Sequence, residues 1–535
     1  MEQLKLFKEN FGKSDNLPKP KTHSAHYLIH RYWGRKPVNV FSYLIKKYSK
    51  ENDWVLDPFM GSGITVIESN LVSRNAVGID LNPLSKLLCN VTLTKYNIDS
   101  LLKDFQLITK IPEDINQLFK TSHCNEVFSI KNNIWKNNEL IKISFEINKK
   151  KQIKKPQSED LKILDKSDDL LKEYTKKYKL KIPSEKILKF VKRSGITSIN
   201  QLFTSRNLLY LLYLKKNISK IKNIKNKKFF LIILSAILPS VSNMIPGDEL
   251  KCQGKSGWVI SKYWVPSTHT EKNPIQQFKK KAISAIKALE SLSDKLTNSQ
   301  FKILNQSSEK INIIEDNSID LILTDPPYGD SIAYLGLSML WNEWLDLKVD
   351  YESEVIIDPY RKKDILDFHN RSLKVFNECY RVLKNNKLLI FTFYNRQLKI
   401  WKAIIDACLS AGFFLEKIEW MEQANSSGTQ GINKKNTLKG DFLYYFKKKK
   451  KFSVIKEKVK SSEEKVIHLI NNLFVRKEIL TVSQIFEEII PQIVNERLYF
   501  NKDGKIIDID NILEKNFVPI EKTINKKTVY AWKKK

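Results

Sequence analysis

Short apolar runs, several of them ending on an acid, alternate with helical segments along this chain. The apolar pattern predicts strands at residues 54–57, 76–80, 319–324, 387–393, 414–420 and 441–446. Between the later strands, apolar residues recur at helical spacing, as at 364–383 and 398–411. Strands that alternate with helices are typical of a doubly wound, mostly parallel α/β sheet, so we predict that fold class.

A long interval separates the second predicted strand from the third. It exceeds the length of a single crossover connection, so it predicts an inserted unit. Within it, "INQLFTSRNLLYLLYLKKNISKI" and "KNPIQQFKKKAISAIKALESL" have the apolar spacing of packed amphipathic helices, which predicts a mainly helical insert. The predicted units are residues 1–99, 100–310, 311–447 and 448–535.

The last of these units opens with the lysine run "KKKKKFSVIKEKVKSS", which indicates a basic linker. Beyond it the pattern predicts two short helices, with Ser483 as a helix cap, and then a small unit rich in Ile and Lys. A helical DNA-binding appendage and a partner-docking module both fit this small C-terminal appendage.

The balance of charge points to a polyanionic partner. The 535 residues include 92 Lys plus Arg against 59 Asp plus Glu, a formal net charge of +33. Such an excess of cations favours binding to nucleic acid. The chain is also rich in Lys, Asn and Ile throughout, as drift in an AT-rich genome would produce, so charge alone leaves both explanations open.

The cysteines and the apolar segments bound the class of protein further. Five cysteines lie far apart, with no CxxC pair and no Cys/His cluster at zinc spacing, so neither disulfides nor a metal site is predicted. The start of the chain has no signal-peptide pattern, and "FFLIILSAILPSVSNM" is too short to span a bilayer. We expect a soluble cytoplasmic protein with no membrane partner.

A first candidate site follows the first predicted strand, in "WVLDPFMGSGITVIES". Gly61 and Gly63 permit positive φ and let the backbone approach a ligand, and the next helix offers its free N–H groups. Asp80, at the end of the second strand, suits hydrogen bonds to ribose hydroxyls. Because the Walker lysine and the full GxGxxG spacing are both absent, a nucleoside cofactor without pyrophosphate, such as S-adenosylmethionine, fits best.

A second candidate site is "IDLILTDPPYGD", where a buried strand runs into an acid, two prolines and an aromatic ring. A plain turn after a buried strand is the competing explanation of this segment. Together, "DPFMGSGIT", "GIDLNP" and "TDPPYGD" resemble the amino-methyltransferases of DNA, which methylate N6 of adenine or N4 of cytosine. The resemblance covers about residues 20–446 and is to a subgroup with a long insert between cofactor and catalytic motifs.

The resemblance implies a Rossmann-like methyltransferase sheet that binds S-adenosylmethionine, with the last two strands as an antiparallel hairpin. The segment "HRYWGRKPVNVFSYLI" is similar to the family's N-terminal motif, which closes over the methionine end of the cofactor. The cofactor-binding residues implied in this way are Arg35, Lys36, Asp57, Pro58, Phe59, Gly61, Ser62, Gly63 and Asp80.

The resemblance also implies how the DPPY segment works on double-stranded DNA. The catalytic residues are Asp325, Pro326, Pro327 and Tyr328. The Asp325 carboxylate and the Pro326 carbonyl accept hydrogen bonds from the target amine, the prolines stiffen the loop, and Tyr328 stacks on a base extruded from the duplex. The methyl group passes directly from sulfonium to nitrogen.

Several functions remain in competition. Methylation of carbon 5 of cytosine needs a Pro-Cys nucleophile, and no cysteine here follows a proline. Asp at the start of the tetrapeptide is typical of adenine enzymes, so N6 of adenine is favoured over N4 of cytosine. The competing functions also include an RNA amine methyltransferase and an inactive DNA-binding relative. The family resemblance implies a restriction-modification or related defence system, with a restriction endonuclease or another defence subunit as a partner.

Target recognition is assigned to the insert, by analogy with that subgroup. There "GKSGWVISKYWVPSTHTEKN" interleaves aromatic and basic residues, which suits stacking on bases and contacts with phosphate. The candidate nucleic-acid-binding residues are Lys255, Trp258, Lys262, Tyr263 and Trp264, and the competing explanation is that the rings belong to the core. The basic loop "NSSGTQGINKKNTLKGD" either touches DNA phosphates or is a plain solvated connection.

Overall fold

The computed structural model describes residues 17–193, 195–255, 258, 262–422, 440–449, 462–524 and 527–535. The basic loop "NSSGTQGINKKNTLKGD" lies outside these residues except at its last two positions, and most of the lysine-rich linker lies outside them as well.

The first part of the chain alternates helices and strands, as its apolar pattern predicts. The elements are α1 (Val38–Tyr48), β1 (Trp54–Asp57), α2 (Ile64–Leu71), β2 (Asn75–Asp80) and α3 (Pro83–Leu93). Asn82 caps the start of α3, because its side chain accepts a hydrogen bond from the Leu84 N–H. Pro83 fits the first helical position because the N–H that it lacks would be unpaired there.

The interval after α3 folds into a unit that contains both helices and strands. In chain order these are α4 (Ile98–Ile108), α5 (Glu113–Gln117), β3 (Lys120–His123), β4 (Glu126–Ser129), β5 (Asn132–Lys136), β6 (Glu139–Ile147), β7 (Lys150–Lys154), α6 (Ser158–Tyr178), α7 (Ser205–Ser219), α8 (Ile224–Val241), β8 (Gly247–Asp248), β9 (Gln253–Gly254), β10 (Thr268–Lys272) and α9 (Pro274–Ser293). Helices contribute most of this regular structure. An antiparallel sheet, ordered β10-β5-β6-β7, is an addition that the sequence pattern did not predict.

The next part of the chain returns to alternating strands and helices. Its elements are β11 (Phe301–Asn305), β12 (Ile319–Thr324), α10 (Tyr334–Trp344), α11 (Ile365–Val382), β13 (Leu383–Phe393), α12 (Leu398–Ser410), β14 (Phe413–Glu422) and β15 (Gly440–Lys448). All six residues of β12 are buried, which explains its unbroken apolar run. Strand β11 was not predicted and falls in the range assigned to the insert.

The central sheet contains seven strands in the order β11-β2-β1-β12-β13-β15-β14. The first five are mutually parallel, and β15 runs antiparallel to both β13 and β14. The predicted doubly wound, mostly parallel sheet with a terminal hairpin is confirmed. Strands β1 and β12 pair in the middle, where Val55 faces Leu321, so the ends of the strands before both candidate sites are neighbours.

The insert and the first half of the sheet share one hydrophobic core. A single cluster of buried residues joins Val55 and Leu84 to Leu209 and Phe230 of the insert. A second cluster packs β12, β13 and β15 against the C-terminal residues. The insert is therefore anchored to the part of the sheet that contains β1 and to the neighbouring helix α3.

The C-terminal residues form a small module of helices and strands. Its elements are α13 (Glu463–Arg476), β16 (Ile479–Thr481), α14 (Val482–Glu496), α15 (Ile509–Asn516), β17 (Phe517–Ile524) and β18 (Lys527–Lys534). With sheet order β16-β18-β17, this is the topology of a winged helix, which by itself does not assign a function. The predicted cap Ser483 is wrong, because α14 begins earlier in the chain, where the side chain of Thr481 caps it.

Candidate active site

One open cleft lies at the carboxyl ends of β1, β2 and β12. Its volume is about 950 Å³, including the solvent at its mouth. Its lining includes Tyr32, Arg35, Lys36, Asp57, Pro58, Phe59, Gly61, Ser62, Asp80, Asn82, Ser308, Asp325, Pro327, Tyr334 and Glu354. The glycine loop and the DPPY segment, far apart in sequence, thus line the same cleft, as expected at the switch point of a doubly wound sheet.

The glycine loop between β1 and α2 depends on its glycines in the way the sequence predicts. Gly61 has φ +50° and Gly63 has φ +83°, both in the left-handed region. A Cβ on Gly63 would lie 2.6 Å from Sγ of the buried Cys89. Both the backbone conformation and the close packing of α2 against α3 therefore require glycine at position 63.

Replacing Gly63 with alanine is expected to destabilise the protein by about 2 to 4 kcal/mol, because left-handed strain adds to overpacking. Thermal unfolding measures the effect. Gly504→Ala is the matched control, since Gly504 has φ +71° but open space around its Cβ position, and its cost is about 1 kcal/mol. Equal shifts in the two variants would show that the Cys89 contact is unimportant.

Asp80 is held in place by the backbone around it. Its Oδ2 accepts a hydrogen bond from the Gly61 N–H at 2.7 Å, and its Oδ1 accepts one from the Asn82 N–H at 2.7 Å. Burial raises the pKa of Asp80 to about 6, although these two hydrogen bonds act to lower it. Each carboxylate oxygen has a second lone pair, so Asp80 can still accept hydrogen bonds from two ribose hydroxyls.

Asp57 has a different environment, at the buried end of β1. Its Oδ1 accepts a hydrogen bond from Thr324 Oγ1 at 2.6 Å and one from the Phe59 N–H at 3.1 Å. Burial raises the pKa of Asp57 to about 7, although both hydrogen bonds oppose the rise. Asp57 therefore links the glycine loop to the end of β12, immediately before Asp325.

The N-terminal segment passes beside the glycine loop. Arg35 donates from Nε to Ser62 Oγ at 3.3 Å and from Nη2 to the His30 carbonyl at 3.1 Å. A guanidinium has five N–H donors, so these two contacts leave others for a ligand in the cleft. Arg35 thus lies beside the glycine loop, and its contact with a cofactor stays a prediction.

Lys36, predicted beside Arg35 as a cofactor ligand, is turned toward the DPPY segment instead. Its Nζ lies 2.5 Å from Tyr328 Oη, 2.9 Å from Asp441 Oδ2 and 3.5 Å from Asp325 Oδ1. Burial alone would lower the pKa of Lys36, but Asp325 and Asp441 raise it overall. Lys36 is consequently a buried cation between two carboxylates.

Asp325 lies at the centre of this network. Its Oδ1 accepts hydrogen bonds from Tyr328 Oη and Thr392 Oγ1, each at 2.6 Å. Burial raises the pKa of Asp325 to about 6, Asp441 adds to the rise, and Lys36 opposes it. Within the described residues these contacts all involve Oδ1, which leaves Oδ2 as an acceptor for an incoming N–H.

The Tyr328 ring is buried rather than open to solvent. It stacks on Phe393 with ring centroids 5.3 Å apart and an angle of 8° between the planes. Its main-chain carbonyl accepts a hydrogen bond from Asn395 Nδ2 at 3.1 Å. Lys36 Nζ lies over the same ring, 4.8 Å from its centre. An extruded base could therefore stack on Tyr328 only if Tyr328 or one of these neighbouring side chains moved.

Two participants in the network were missed by the sequence analysis, namely Thr392 and Asp441. Thr392 is in a buried strand and Asp441 is at the start of β15. An acid among the apolar residues of "DFLYYF" was the available signal for Asp441. No local pattern connects Asp441 with Lys36, because these residues are far apart in the chain and come together only when the sheet forms.

The predicted nucleic-acid residues of the insert separate into two groups. Trp258 and Tyr263 are buried in the core, where Trp258 packs edge-on against Trp33 and Tyr263 Oη donates to the Leu337 carbonyl at 2.7 Å. The prediction that these two rings stack on bases is corrected, since both are packed on all sides. Lys255 and Lys262 are exposed, and Trp264 is half-buried with Arg193 over its ring.

A polar groove elsewhere in the insert offers a more accessible surface. We call it the amide groove; it lies between β5, β6, the β9 turn and the start of α9, and it is lined by Lys131, Asn132, Glu146, Gln253, Gly254, Lys272, Gln276, Gln277 and Lys280. Burial, and then the nearby Lys280, lower the pKa of Lys272. One acid against three lysines leaves this groove cationic.

Two further observations concern the described residues as a whole. None of their helices is long and apolar enough to cross a membrane. In the same part of the chain, His, Cys, Asp and Glu side chains form no group of three or more that could hold a metal ion.

A doubly wound sheet with a glycine loop after its first strand and an acid after its second defines the class of nucleotide-cofactor-binding α/β proteins. A sequence profile described as DNA methylase matches residues 5–86 and 319–522, more than half of the chain. This protein therefore belongs to the DNA methylase family of N6 and N4 amino-methyltransferases.

Individual relatives are similar over shorter segments. Type II methyltransferase M.MjaII of Methanocaldococcus jannaschii is 34% identical over 98 residues, which are 18% of this chain and 18% of that protein. M.BsoBI of Geobacillus stearothermophilus is 31% identical over 103 residues, 18% of this chain and 20% of the relative. M.BamHI of Bacillus amyloliquefaciens is 30% identical over 118 residues, which are 22% of this chain and 25% of the relative. The aligned segments span about a fifth to a quarter of these relatives.

Proposed function

We propose that this protein transfers a methyl group from S-adenosylmethionine to an exocyclic amine of a base in double-stranded DNA, with N6 of adenine as the favoured target. The observation that carries the proposal is that Asp80 and the glycine loop share one cleft with Asp325. A nucleoside-cofactor site and an amine-acceptor site therefore lie side by side, which is what direct transfer between two bound molecules requires.

The residues of the cleft fit S-adenosylmethionine. Asp80 would hold the ribose hydroxyls, the backbone at Gly61 would approach the cofactor closely, and the remaining donors of Arg35 would bind the methionine carboxylate. The bound cofactor would supply an electrophilic methyl group on its sulfonium.

Asp325 would prepare the acceptor amine. The lone pair of an exocyclic amine is delocalised into its ring, and an acceptor on its N–H bonds helps localise that pair. Asp325 Oδ2 and the Pro326 carbonyl are suited to this role, since Pro326 and Pro327 fix the loop. Because the pKa of Asp325 is about 6, the carboxylate is mostly ionised at neutral pH and can take up the proton that leaves as the methyl group arrives.

Adenine is favoured because the tetrapeptide begins with Asp325, and N4 of cytosine is the second candidate. The similarity to Type II methyltransferases also supports a role in restriction-modification. We propose a restriction endonuclease as a partner in that role. We expect the protein to act in the cytoplasm, on chromosomal DNA.

Expression in a methylation-deficient bacterial host tests the function directly. Genomic DNA is digested to nucleosides for mass spectrometry, which separates N6-methyladenine from N4-methylcytosine, and is sequenced with detection of modified bases. We expect N6-methyladenine in one short motif, absent with Asp325→Ala. N4-methylcytosine would reverse the choice of base. Unmodified DNA, beside methyl groups on host RNA that are absent with Asp325→Ala, would contradict the DNA substrate.

We also propose that the amide groove contacts the DNA. Lysines suit phosphates, and Asn and Gln amides suit base edges, above all adenine. Lys280→Ala is expected to weaken binding to duplex DNA. It should also reduce the slope of log Kd against the logarithm of salt concentration by about 1. The matched control is Lys287→Ala, exposed on the same helix but away from the groove lining. Equal slopes in both variants, measured by fluorescence anisotropy, would remove the groove from the interface.

A further inference from the structure

We propose that Lys36 and Asp441 are positioning residues for methyl transfer: Lys36 keeps Asp325 charged and oriented, and Asp441 holds Lys36 in place. The proposal rests on the function given above to Asp325. It moves Lys36 from the cofactor to the acceptor side of the cleft, and it adds Asp441, which no motif assigned.

The contacts of Lys36 carry the first step. A lysine ammonium has three N–H donors, and three acceptors surround it, namely Tyr328 Oη, Asp441 Oδ2 and Asp325 Oδ1. Its Nζ also lies 4.8 Å from the centre of the Tyr328 ring. A lysine engaged in this way has no donor left for the cofactor, whereas the neighbouring Arg35 has several.

Burial strengthens the electrostatic interactions of Lys36 with its neighbours. Lys36 is 6% exposed and Asp441 is 1% exposed, so water screens neither charge. The segment before α1, the loop after β12 and the start of β15 meet at these side chains. A structural ion pair between Lys36 and Asp441 alone would not require a second carboxylate, that of Asp325, at 3.5 Å on the segment that presents the acceptor.

Because charges of both signs surround Asp325, the proposal predicts the direction in which the pKa of Asp325 changes in each variant. Lys36 is the nearby cation, and it comes from the N-terminal segment. Asp441 on β15 and Asp57 at the end of β1 are the neighbouring acids, and Tyr328 and Tyr334 are the titratable hydroxyls. Removing the cation in Lys36→Met should make Asp325 harder to ionise. Asp441→Asn removes a negative charge but keeps an oxygen that can accept from Lys36 and hold it in place, so Asp325 should ionise more easily. A merely structural defect has no reason to produce opposite shifts.

The first experiment measures single-turnover methylation of genomic DNA from a methylation-deficient host across pH, with saturating S-adenosylmethionine. Loss of activity on the acid side should move up by at least about one pH unit in Lys36→Met and down by a similar amount in Asp441→Asn. Lys36→Arg retains the positive charge. Its activity should be lost at the same acid pH as that of the wild type, even if its rate is lower. Shifts in the same direction, or none, would overturn the proposal.

A binding measurement separates the two neighbouring cations. By calorimetry, Lys36→Met should bind S-adenosylmethionine within about threefold of wild type, and Arg35→Met should bind it at least about tenfold more weakly. If Lys36→Met loses cofactor affinity as Arg35→Met does, Lys36 belongs to the cofactor site and the proposal is wrong.

A third measurement needs no turnover. The infrared carboxyl band that disappears in Asp325→Asn is titrated in wild type, Lys36→Met and Asp441→Asn. Opposite shifts in a protein that methylates no DNA would leave the positioning role intact and reject the proposed function. Unshifted titrations in an active enzyme would reject the positioning role alone.

Discussion

Asp325→Asn is expected to reduce the rate of methyl transfer by roughly 10²- to 10⁴-fold, the usual contribution of a group that accepts a proton during reaction. Asparagine keeps the shape of the side chain and its Oδ1 can still accept from Tyr328 and Thr392, so the loop should retain its structure. What is lost is the negative charge that localises the lone pair of the amine and receives its proton.

Rate and affinity together identify the defect in Asp325→Asn. Calorimetry should show wild-type affinity for S-adenosylmethionine, because Asp80 and the glycine loop are untouched. Asp346→Asn serves as the control, since Asp346 is 57% exposed and does not line the cleft. Methylation at the wild-type rate by Asp325→Asn would show that the carboxylate is not the acceptor.

Glu271→Gln is expected to destabilise the insert by about 3 to 5 kcal/mol, because it leaves the Arg206 guanidinium buried without a counter-ion. Both side chains are 2% exposed, and Arg206 donates to Glu271 Oε1 at 2.7 Å. Thr204, Asn133 and Trp135 donate to the same carboxylate. One buried acid thus joins α7 to two strands of the small sheet.

Hydrogen exchange in β5 and β10 measures this destabilisation locally, since a chain of several units need not unfold in one step. Glu146→Gln is the matched control. Glu146 pairs with Lys131 on the surface of the same sheet and is 45% exposed, so its loss should cost less than about 1 kcal/mol. Similar exchange in the two variants would contradict a special role for the buried pair.

The same pair predicts a dependence of stability on pH. Burial opposes ionisation of Glu271, but Arg206 and the other donors lower its pKa to about 2. A carboxyl whose pKa is lower in the folded than in the unfolded state stabilises the fold at neutral pH. That contribution should disappear as the pH falls from about 5 to about 2, and Glu271→Gln should lack this part of the acid transition.

The central sheet could be predicted from sequence because its strands are buried and apolar. Strand β12 is buried at every position, and β1 at three of four, so each appears as a short apolar run. Strand β11 was missed because only Ile303 of its five residues is buried. An edge strand that is mostly exposed lacks the pattern on which such predictions depend.

Residues of the site could be predicted where they stand in a short sequence motif. Contacts between segments that are far apart in the chain could not be predicted in this way. The glycine loop, Asp80 and Asp325 each stand in a recognisable motif. The direction of the Lys36 side chain is decided by Asp441 and Tyr328, which the fold brings to it. For Trp258 and Tyr263, alternation of aromatic and basic residues did not distinguish a nucleic-acid surface from a core, and their packing decided it.

The pairing of β1 with β12 has a consequence for how such a protein could be divided. This seam separates β11, β2 and β1 from the remaining strands, and the two parts of the cleft face each other across it. Because Asp80 and Asp325 belong to opposite sides, the cleft needs the seam but not a continuous backbone through the insert. A cut in an exposed turn of the insert would leave β1 and β2 in one fragment and β11 and β12 in the other, so two separately expressed fragments could form one complete cleft by restoring both the β2–β11 and the β1–β12 pairings.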